Sequence, residues 1–472
     1  MAGIRSLNGD GSETEVEPEA IAALGETLRG RLLTADDGEY GDARQIWNGM
    51  IDRRPSLIAR CIDTADVMHS VHFAREHGLL VSVKGGGHNV AGKAVCDGAF
   101  MLDLSLMNRV RVDQRGSTAR AQGGAKWTDF DRETQAFGLA TTGGTLSDTG
   151  IAGLTLGGGL GWLAGQHGLS CDNLVSADVV LADGSVVVAS DDDNQDLFWA
   201  LRGGSGNFGV VTAFEYRLHP VSVVLGGAVF HPLSEAANVL RFYGEFTAEI
   251  PNELNTMGVL LHTPEGLPVA AIAACYNGPI DAGEKVLDPV RKFGPPLVDQ
   301  FQPLPYGIMQ TLFDPAFPPG GRYYWKAHLV GGVSEEAIEI LAESYQRVPS
   351  PGTALLFQQL GNAANRVAPE ATAFSHRHAR YDLVLLSAWS DPADDDKNIG
   401  WTRELWDALE PSSLGAIYVK QRRRRRRSHG AVRLPGRHIP PPHRAQGEVR
   451  PGELLQAEPE HQTRAGLARD ST

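Results

Sequence analysis

Glycine clusters constrain this chain more than any other feature of its sequence. Of its 55 glycines, 14 lie in three loops, which span Gly85–Gly87, Gly143–Gly161 and Gly203–Gly206. Because glycine has no Cβ, it lets the main chain approach another backbone or a ligand closely. Successive N–H groups in such loops also form concave sites for anions such as a pyrophosphate. The loops therefore indicate either a phosphate-bearing cofactor or turns that pack tightly against one another.

The order of hydrophobic patterns predicts an α+β fold in more than one domain. A chain of 472 residues exceeds what a single small core supports. A strand at Ser56–Arg60, a helix at Thr64–His77 and a strand at Leu79–Val83 lead into the first glycine loop. Later strand-like runs alternate with helices, which predicts an antiparallel sheet covered by helices. We expect a lead-in with a helix around Ile21–Leu33, a glycine-rich domain, a second domain and a tail, at residues 1–45, 46–220, 221–420 and 421–472.

Charge and composition exclude several classes of protein. A net charge of −14 argues against a nucleic-acid partner, which requires a basic face. No stretch approaches the roughly 20 apolar residues of a membrane span, and the amino terminus lacks an apolar signal region. We therefore expect a cytoplasmic protein. The four cysteines lie far apart with no CxxC pair, so we predict reduced thiols and no metal site.

A nucleotide-binding Rossmann unit is the main alternative at the residue level. Gly159-Leu-Gly161-Trp-Leu-Ala164 matches G-x-G-x-x-A, and Asp183 follows at about the distance of an acidic ribose partner. However, Asp183-Gly184 lies between the β-rich runs Val175–Leu181 and Val186–Ser190, which is a hairpin signal. The motif therefore lacks its expected structural context, and the other glycine clusters have no role in a Rossmann unit.

Four ordered motifs resemble a known enzyme family, and together they extend over about residues 45–420. They are Val83-Lys-Gly-Gly-Gly-His-Asn-Val-Ala-Gly92, Gly150-Ile-Ala-Gly-Leu-Thr-Leu-Gly-Gly-Gly-Leu-Gly-Trp162 with the preceding Thr141-Thr-Gly-Gly144, His167-Gly-Leu-Ser-Cys-Asp-Asn173, and Arg202-Gly-Gly-Ser-Gly-Asn-Phe-Gly-Val-Val211. They resemble the FAD signatures of the berberine bridge enzyme-like oxidoreductases of the vanillyl-alcohol-oxidase group, nearest to the bacterial 6-hydroxy-D-nicotine oxidase type. The resemblance implies a two-part PCMH-type FAD-binding domain beside a substrate domain.

The resemblance also implies how the cofactor is held. The histidine of the first motif, here His88, is expected to bond to the 8α-methyl group of the flavin. Some relatives add a second link through a cysteine, but the corresponding position is about Leu146, beside Ser147. We therefore predict FAD with a single covalent link, and Cys171 as a buried thiol. The expected cofactor-binding residues are Lys84, Gly85, Gly86, Gly87, His88, Asn89, Gly92, Thr142, Gly143, Gly150, Gly153, Leu156, Gly157, Gly158, Gly161, Asn173 and Val210.

Three residues match the family's catalytic positions in outline. Gln358 stands where relatives often carry Glu or Gln over the flavin, and Lys326 belongs to a strand expected to face the pocket. Tyr418 matches a Y-x-N motif whose tyrosine serves as base when a nearby cation lowers its pKa, although Lys420 replaces the motif's asparagine. An exposed Gln, a solvated Lys and a packed Tyr are the ordinary alternatives for these residue types.

These expectations predict oxidation of an alcohol or amine carbon of a small-molecule substrate. Hydride would pass to the flavin, a base would take the O–H or N–H proton, and O2 would reoxidise the flavin to give hydrogen peroxide. Two other classes remain open at this level. One is an NAD-dependent Rossmann enzyme, and the other is a nonenzymatic binding protein with a basic tail.

The tail departs from the rest of the chain. Residues 421–472 contain 12 arginines, five acidic residues and no aromatic residue. Relatives end near a segment resembling Y-D-P-x-N-x-F-R-x-N-Q-N-I. Codons for Val449–His461 can be chosen so that a one-base shift reads Y-D-P-E-N-F-F-R-L-N-Q-N-I, and the same shift converts Arg422–Arg427 into aspartates. We therefore expect a frameshift near Lys420–Arg427; the alternative is a functional basic tail.

Overall fold

The computed structural model describes residues 3–415, which form strands and helices along the whole of that range. The strands are β1 (Ile4–Leu7), β2 (Glu13–Val16), β3 (Arg31–Leu33), β4 (Leu57–Arg60), β5 (Val81–Lys84), β6 (Phe100–Asp103), β7 (Val110–Asp113), β8 (Thr118–Gln122), β9 (Leu139–Ala140), β10 (Leu174–Val180), β11 (Val186–Ser190), β12 (Val210–Arg217), β13 (His219–Pro220), β14 (Val223–Pro232), β15 (Leu254–His262), β16 (Pro268–Tyr276), β17 (Val298–Asp299), β18 (Gln302–Pro305), β19 (Arg322–Val330), β20 (Ala354–Gln359) and β21 (Tyr381–Trp389). The α-helices are α1 (Pro18–Thr27), α2 (Tyr40–Ala43), α3 (Thr64–Glu76), α4 (Trp127–Gln135), α5 (Ile151–Leu156), α6 (Ala164–His167), α7 (Gln195–Leu201), α8 (Ala236–Phe246), α9 (Ile280–Lys292), α10 (Tyr306–Met309), α11 (Glu335–Tyr345), α12 (Asn362–Arg366) and α13 (Asp395–Ala408).

The glycine-rich half contains two sheets of different construction. The first has the order β3-β4-β6-β5, in which β6 pairs parallel with both β4 and β5. The second is antiparallel with the order β11-β10-β12-β8-β7. The predicted hairpin joins β10 to β11, and Gly184 adopts φ +84° at its turn, a conformation that glycine adopts at little cost.

The amino-terminal helix differs from its expected position. It spans Pro18–Thr27 rather than a range around Ile21–Leu33, and Arg31–Leu33 instead forms β3 at the edge of the first sheet. The carboxylate of Asp66 accepts hydrogen bonds from the N–H groups of Arg29 and Gly30 and so fixes the turn that connects α1 to β3. A Cβ built at Gly30 would lie 1.9 Å from the Arg60 carbonyl oxygen, so this glycine lets the chain enter the sheet.

The second half of the chain is built on one antiparallel sheet of eight strands. Its order is β14-β16-β15-β20-β21-β19, with β17 and β18 pairing to successive parts of β14. Helices α8, α9, α11 and α13 pack on one face and share a core with its alternate residues. The opposite face packs against the glycine-rich half. The α+β fold class, with an antiparallel sheet covered by helices, is therefore confirmed.

Both faces of this sheet are buried, so the residues of each face must be distinguished to locate a ligand between the two halves. On β20, Leu355 and Phe357 belong to the helix-side core, whereas Ala354 and Leu356 belong to the core shared with the glycine-rich half. Successive residues of a strand point to opposite faces. The side chains at 354, 356 and 358 therefore lie on the face that meets the glycine loops, which we call the inner face.

Candidate active site

His88 lies at the junction of the two halves. Strand β5 ends at Lys84, and the three glycines that follow turn the chain, with Gly87 at φ +70°. The imidazole that results is buried, with 5% of the residue exposed. It stacks on the indole of Trp47 at a centroid distance of 4.0 Å and an angle of 21°. The ring of Trp325, on β19, lies 6.2 Å away.

Lys84 and Asn89 of the first motif form contacts within the protein that stabilise the loop. The ammonium of Lys84 donates to the Ala43 carbonyl oxygen at 2.7 Å and lies 3.7 Å from the buried carboxylate of Asp103. Burial lowers the pKa of Lys84, and the charge of Asp103 opposes this shift. The Asn89 side-chain oxygen accepts the Lys93 N–H at 3.0 Å, as is common in turns.

The second motif packs directly on the first. A Cβ built at Gly86 would lie 2.4 Å from the Gly150 Cα, and one at Gly150 would lie 2.7 Å from the Gly86 Cα. A Cβ at Gly161 would lie 1.9 Å from the Gly143 carbonyl oxygen. These contacts match the tight-turn interpretation of the glycine clusters. Gly153 differs, because it is exposed and a Cβ there would meet no described atom within 4 Å.

The remaining predicted glycines lie in turns of these two loops. Gly92 adopts φ +75° and its N–H donates to the Asn89 carbonyl oxygen. A Cβ at Gly85 would lie 2.8 Å from the Gly123 carbonyl oxygen. Gly157 and Gly158 close helix α5, and Gly158 adopts φ +116°. The structure thus brings the first two motifs into one cradle at the base of the eight-stranded sheet.

The predicted cofactor-binding residues Thr142 and Asn173 form side-chain hydrogen bonds to other groups of the protein. The Thr142 hydroxyl donates to the Gly168 carbonyl oxygen at 2.8 Å. The Asn173 amide nitrogen donates to the carbonyl oxygens of His167 and Leu169, both at 2.9 Å, and its oxygen lies 2.7 Å from His219 Nε2. These side chains therefore shape the loop.

Stacked imidazoles lie beside Asn173. The rings of His167 and His219 are 3.7 Å apart at 9°, and burial lowers the pKa of each to about 4. Both rings are therefore neutral near pH 7.

Two other predicted residues act through the backbone or by packing. The Leu156 carbonyl oxygen accepts the N–H groups of Gly203 and Ser205 at 3.1 and 2.8 Å, which attaches the third glycine loop to the second. Val210 begins β12 opposite Val180 and is buried. The three glycine loops are thus joined in the order in which the sequence presents them.

A buried ion pair links the third motif to the second half of the chain. Asp172, in the 3-10 turn Ser170–Asn173, accepts two hydrogen bonds from the Arg377 guanidinium at 2.7 and 2.8 Å. The same carboxylate accepts the Leu169 N–H at 2.8 Å. Arg377 also donates to the Phe374 carbonyl oxygen at 3.1 Å and is 2% exposed. Cys171 is a buried thiol, as expected, and burial raises its pKa.

Another buried carboxyl lies behind the Gly143 turn. Asp131, on α4, accepts a hydrogen bond from the Gln310 side-chain nitrogen at 3.0 Å, and Gln310 in turn packs against Gly143. Burial raises the pKa of Asp131 to about 7, while the hydrogen bond from Gln310 opposes the shift. This contact joins the glycine-rich half to α10.

Aromatic side chains cluster between His88 and the inner face of the sheet, and this cluster is called the aromatic chamber. The aromatic chamber consists of Trp47, Trp162, Phe317, Tyr323 and Trp325, which share one core. Tyr323 stacks on Trp47 at 3.9 Å, and Phe317 meets Trp325 edge-on at 5.8 Å. Burial raises the pKa of Tyr323 to about 12, so its hydroxyl stays protonated. The chamber presents ring faces suited to a planar ligand.

Across residues 3–415, buried donors without a partner occur on the tryptophans of this cluster, in the Thr141 loop and on the inner face of the sheet. Among the described residues, no hydrogen-bond partner is found for the buried indole nitrogens of Trp47, Trp162 and Trp325, the Thr141 hydroxyl or the Gln358 side-chain nitrogen. Leaving a buried donor unsatisfied costs about 1–3 kcal/mol, and a polar ligand at this site would satisfy these donors. An isoalloxazine ring offers acceptors along two edges. The glycine cradle and the donors above it therefore fit FAD.

Gln358 and Lys326 lie on opposite faces of the sheet. Gln358 is on the inner face of β20, beside Leu356 of the shared core. The Lys326 ammonium instead lies over the ring of Trp406 on α13, 3.6 Å from its centroid. Its strand neighbour Trp325 occupies the inner face, so alternation turns Lys326 toward the helices. The expectation that Lys326 faces the pocket is therefore wrong.

Two further residues complete the comparison of predicted and observed positions. Tyr418 lies outside the described residues, as does the whole predicted tail. Asp382, which sequence reasoning did not single out, is 2% exposed and lies opposite Gln358 in the register of β20 and β21. No composition or motif signal distinguishes it, because its position depends on that strand register.

The Rossmann alternative is excluded by the topology. Asp183 lies in the antiparallel hairpin between β10 and β11, whereas a ribose-binding acidic residue follows a parallel strand. Within residues 3–415, no cluster of three or more His, Cys, Asp or Glu side chains could hold a metal ion. No helix in the same range is both long and apolar enough to cross a bilayer.

Comparison with known proteins identifies the family. The FAD binding domain family matches residues 55–190. An FAD-linked oxidoreductase of Dictyostelium discoideum is 33% identical over 397 residues, which cover 83% of this chain and 86% of that protein. The crystal structure of 6-hydroxy-D-nicotine oxidase from Arthrobacter nicotinovorans superimposes with a TM-score of 0.75 at 30% identity, covering 84% of this chain and 89% of that one. Berberine bridge enzyme, in complex with (S)-reticuline, shares the fold at a TM-score of 0.75 and 19% identity, with 84% of each chain covered.

The two-sheet cradle beneath an antiparallel sheet is thus a PCMH-type FAD-binding architecture, and the class of protein is a flavin-linked oxidoreductase. The chain belongs to the FAD-linked oxidoreductase family of these relatives, and it shares the fold of berberine bridge enzyme. The predicted flavin-linked oxidoreductase family, FAD as the cofactor and the enzyme class are confirmed. A nonenzymatic binding protein is excluded accordingly.

Proposed function

We propose that this enzyme oxidises an alcohol or amine carbon of a small, ring-bearing molecule while its FAD is covalently attached to His88. The observation that carries the proposal is the position of His88, which is buried on a glycine turn and faces the aromatic chamber. Bound FAD supplies a two-electron acceptor for hydride. The 6-hydroxy-D-nicotine oxidase relative, an oxidase by name, supports O2 as the oxidant that regenerates the flavin and yields hydrogen peroxide.

A single covalent link follows from the residues at the second-link position. Leu146 has no nucleophilic atom. Its neighbour Ser147 is engaged, because its hydroxyl donates to the Asp314 carboxylate at 2.5 Å and its N–H donates to the same group at 2.8 Å. Cys171 is separated from this position by sequence and is buried with its thiol near Asp172. We therefore propose His88 as the sole anchor.

The chamber residues have distinct roles toward the substrate. The faces of Tyr323 and Trp325 pack on its ring and exclude water. The Gln358 side-chain nitrogen, buried and without a partner in the described part of the chain, donates a hydrogen bond to the substrate's oxygen or nitrogen and orients the reacting carbon. Tyr418 remains the proposed proton acceptor. Asp382, a buried carboxyl beside Gln358, lies on the same side of the sheet.

The test combines cofactor analysis with turnover. Yellow colour should persist in acid-precipitated protein, and peptide mass spectrometry should locate one FAD on His88. A panel of cyclic secondary alcohols, oligosaccharides and heteroaromatic amines should then be screened for peroxide release. Colourless precipitate would refute the covalent link, and rapid substrate-dependent flavin bleaching that O2 does not reverse would refute the oxidase assignment.

A further inference from the structure

A three-residue segment beginning at Trp47 joins the attachment loop to the substrate-side sheet. The Trp47 N–H donates to the Gly87 carbonyl oxygen at 3.0 Å, directly before His88. The carbonyl oxygen of Trp47 accepts the Gly320 N–H at 2.9 Å, and the Gly49 N–H donates to the Gly321 carbonyl oxygen at 2.8 Å. The segment is therefore bonded on one side to the loop and on the other to the start of β19.

The Asn48 side chain repeats this connection and is completely buried. Its amide nitrogen donates to the carbonyl oxygens of Val90 and Tyr323 at 2.8 and 2.9 Å. Its side-chain oxygen accepts the Tyr323 N–H at 3.2 Å. One amide thus bonds to both polar backbone groups of a β19 residue and to the loop two residues after His88. Such a buried, satisfied amide fixes relative position.

The Trp47 indole completes the arrangement by lying between two rings. His88 stacks on one side at 4.0 Å and 21°, and Tyr323 stacks at 3.9 Å and 14°. Trp47 itself is 4% exposed. Because the indole is held by stacking and by its backbone bonds, the plane of the imidazole is set by it. Rotation of His88 out of this plane would lose the contact.

We propose that Trp47 and Asn48 form a clamp that positions His88 for bond formation with the flavin. This role rests on the proposed covalent link. In that step a C–N bond forms between an imidazole nitrogen and the 8α carbon; the nitrogen and the carbon each lose one hydrogen, and the flavin gains two electrons and two protons. O2 then accepts those electrons and protons and becomes hydrogen peroxide. The clamp residues exchange nothing and act as positioning residues, since a reaction of this kind requires alignment of the reacting atoms.

The rate of attachment measures the clamp directly. Each variant should be produced under riboflavin limitation, mixed with FAD in air, and sampled over time for flavin that survives acid precipitation and for total protein-bound flavin. Trp47→Leu is expected to bind FAD through the glycine loops but to attach it at least tenfold more slowly than the wild type. Trp47→Phe keeps a stacking ring and should recover most of the rate. The matched control is Trp199→Leu, because Trp199 is a tryptophan on the surface, 45% exposed, and its loss should leave the rate unchanged.

Two further variants keep the test decisive. Tyr323→Leu removes the outer ring of the stack while the backbone bonds of residue 323 to Asn48 persist, and we expect a severalfold slower attachment. His88→Ala sets the zero of the assay. Wild-type rates in both Trp47→Leu and Tyr323→Leu would overturn the clamp while leaving the proposed function intact. Absence of acid-stable flavin from the wild type would instead refute the covalent link itself. Equal loss of total and acid-stable flavin in Trp47→Leu, with no recovery in Trp47→Phe, would also overturn the clamp in favour of a structural role.

Discussion

Replacing Asp172 with asparagine tests the buried ion pair that joins the FAD signature to the second half of the chain. The substitution preserves size but leaves the Arg377 guanidinium buried without its counter-charge. Two hydrogen bonds of 2.7 and 2.8 Å then lose their charged acceptor. Removing one partner of a buried pair typically costs about 3–5 kcal/mol, because the remaining charge cannot regain water. We expect a loss of this size in the free energy of unfolding.

Thermal denaturation of the holoenzyme measures the effect. With an unfolding entropy of about 2.1 cal/mol/K per residue, a protein of this length has roughly 1.0 kcal/mol/K, so Tm should fall by about 3–5 °C. The control is Glu343→Gln, which breaks the exposed pair with Arg347, whose side chains are 75% and 72% exposed. Exposed i,i+4 pairs contribute about 0.3–0.5 kcal/mol, so that variant should shift Tm by less than about 1 °C.

A double variant separates charge burial from loss of packing. Changing Arg377 to methionine together with Asp172→Asn removes both charges, and such replacements of buried pairs are often neutral. We therefore expect the double variant to unfold at a higher temperature than Asp172→Asn alone. A single variant that melts within 1 °C of the wild type would refute the reasoning, as would a double variant that is less stable than the single one.

Four other outcomes are expected. His88→Ala should release all FAD on acid precipitation, and the peptide containing residue 88 should lose the FAD mass; retained mass would move the link elsewhere. Burial raises the pKa of folded Asp131 to about 7, so its contribution to stability is complete below the unfolded pKa near 4 and is lost as pH rises through 7. The Asp131→Asn variant should therefore show a smaller fall in Tm between pH 5 and 8. An unchanged slope of Tm against pH would contradict the assignment. Gln358→Ala should slow flavin reduction by substrate at least tenfold in stopped-flow measurements, whereas Lys326→Met should change the rate less than twofold. A large effect of Lys326→Met with a small effect of Gln358→Ala would refute the assignment of these side chains to opposite faces of the sheet. Resequencing the gene across the codons for Lys420–Arg427 should show a one-base shift, and an intact reading frame would end the frameshift hypothesis.

Local patterns in the sequence predicted the parts of the fold that depend on local physics. The strand before Gly85, the helix near Thr64–Glu76 and the hairpin at Asp183-Gly184 all follow from short periodicities and turn residues. The prediction of His88 as the flavin anchor depends on the three glycines before it and on the family that their motif resembles. These features require no knowledge of distant contacts.

Long-range contacts were beyond such reasoning. Asn48 bonds to partners 42 and 275 residues away, and nothing in the local sequence Ile46-Trp-Asn-Gly49 reveals either one. The prediction that Lys326 faces the pocket is wrong for a different reason. Both faces of the sheet are buried, so residues 322–330 show no polar alternation that would reveal which side faces the flavin. The two-residue repeat of a strand shows which residues share a face, but only the packing partners show which of the two faces meets the flavin.

The position of Tyr323 has a consequence for how the proposed substrate range of this enzyme could change. Its ring is at once a wall of the aromatic chamber and the outer member of the stack that holds His88. A change at Tyr323 that enlarges the chamber therefore also loosens the support of the attachment histidine. Trp325 contributes to the same chamber but meets the stack only edge-on, at 5.2 Å and 65° to Trp47. We therefore expect substitutions at Trp325 to alter the proposed substrate range with little effect on the flavin anchor, and substitutions at Tyr323 to alter both.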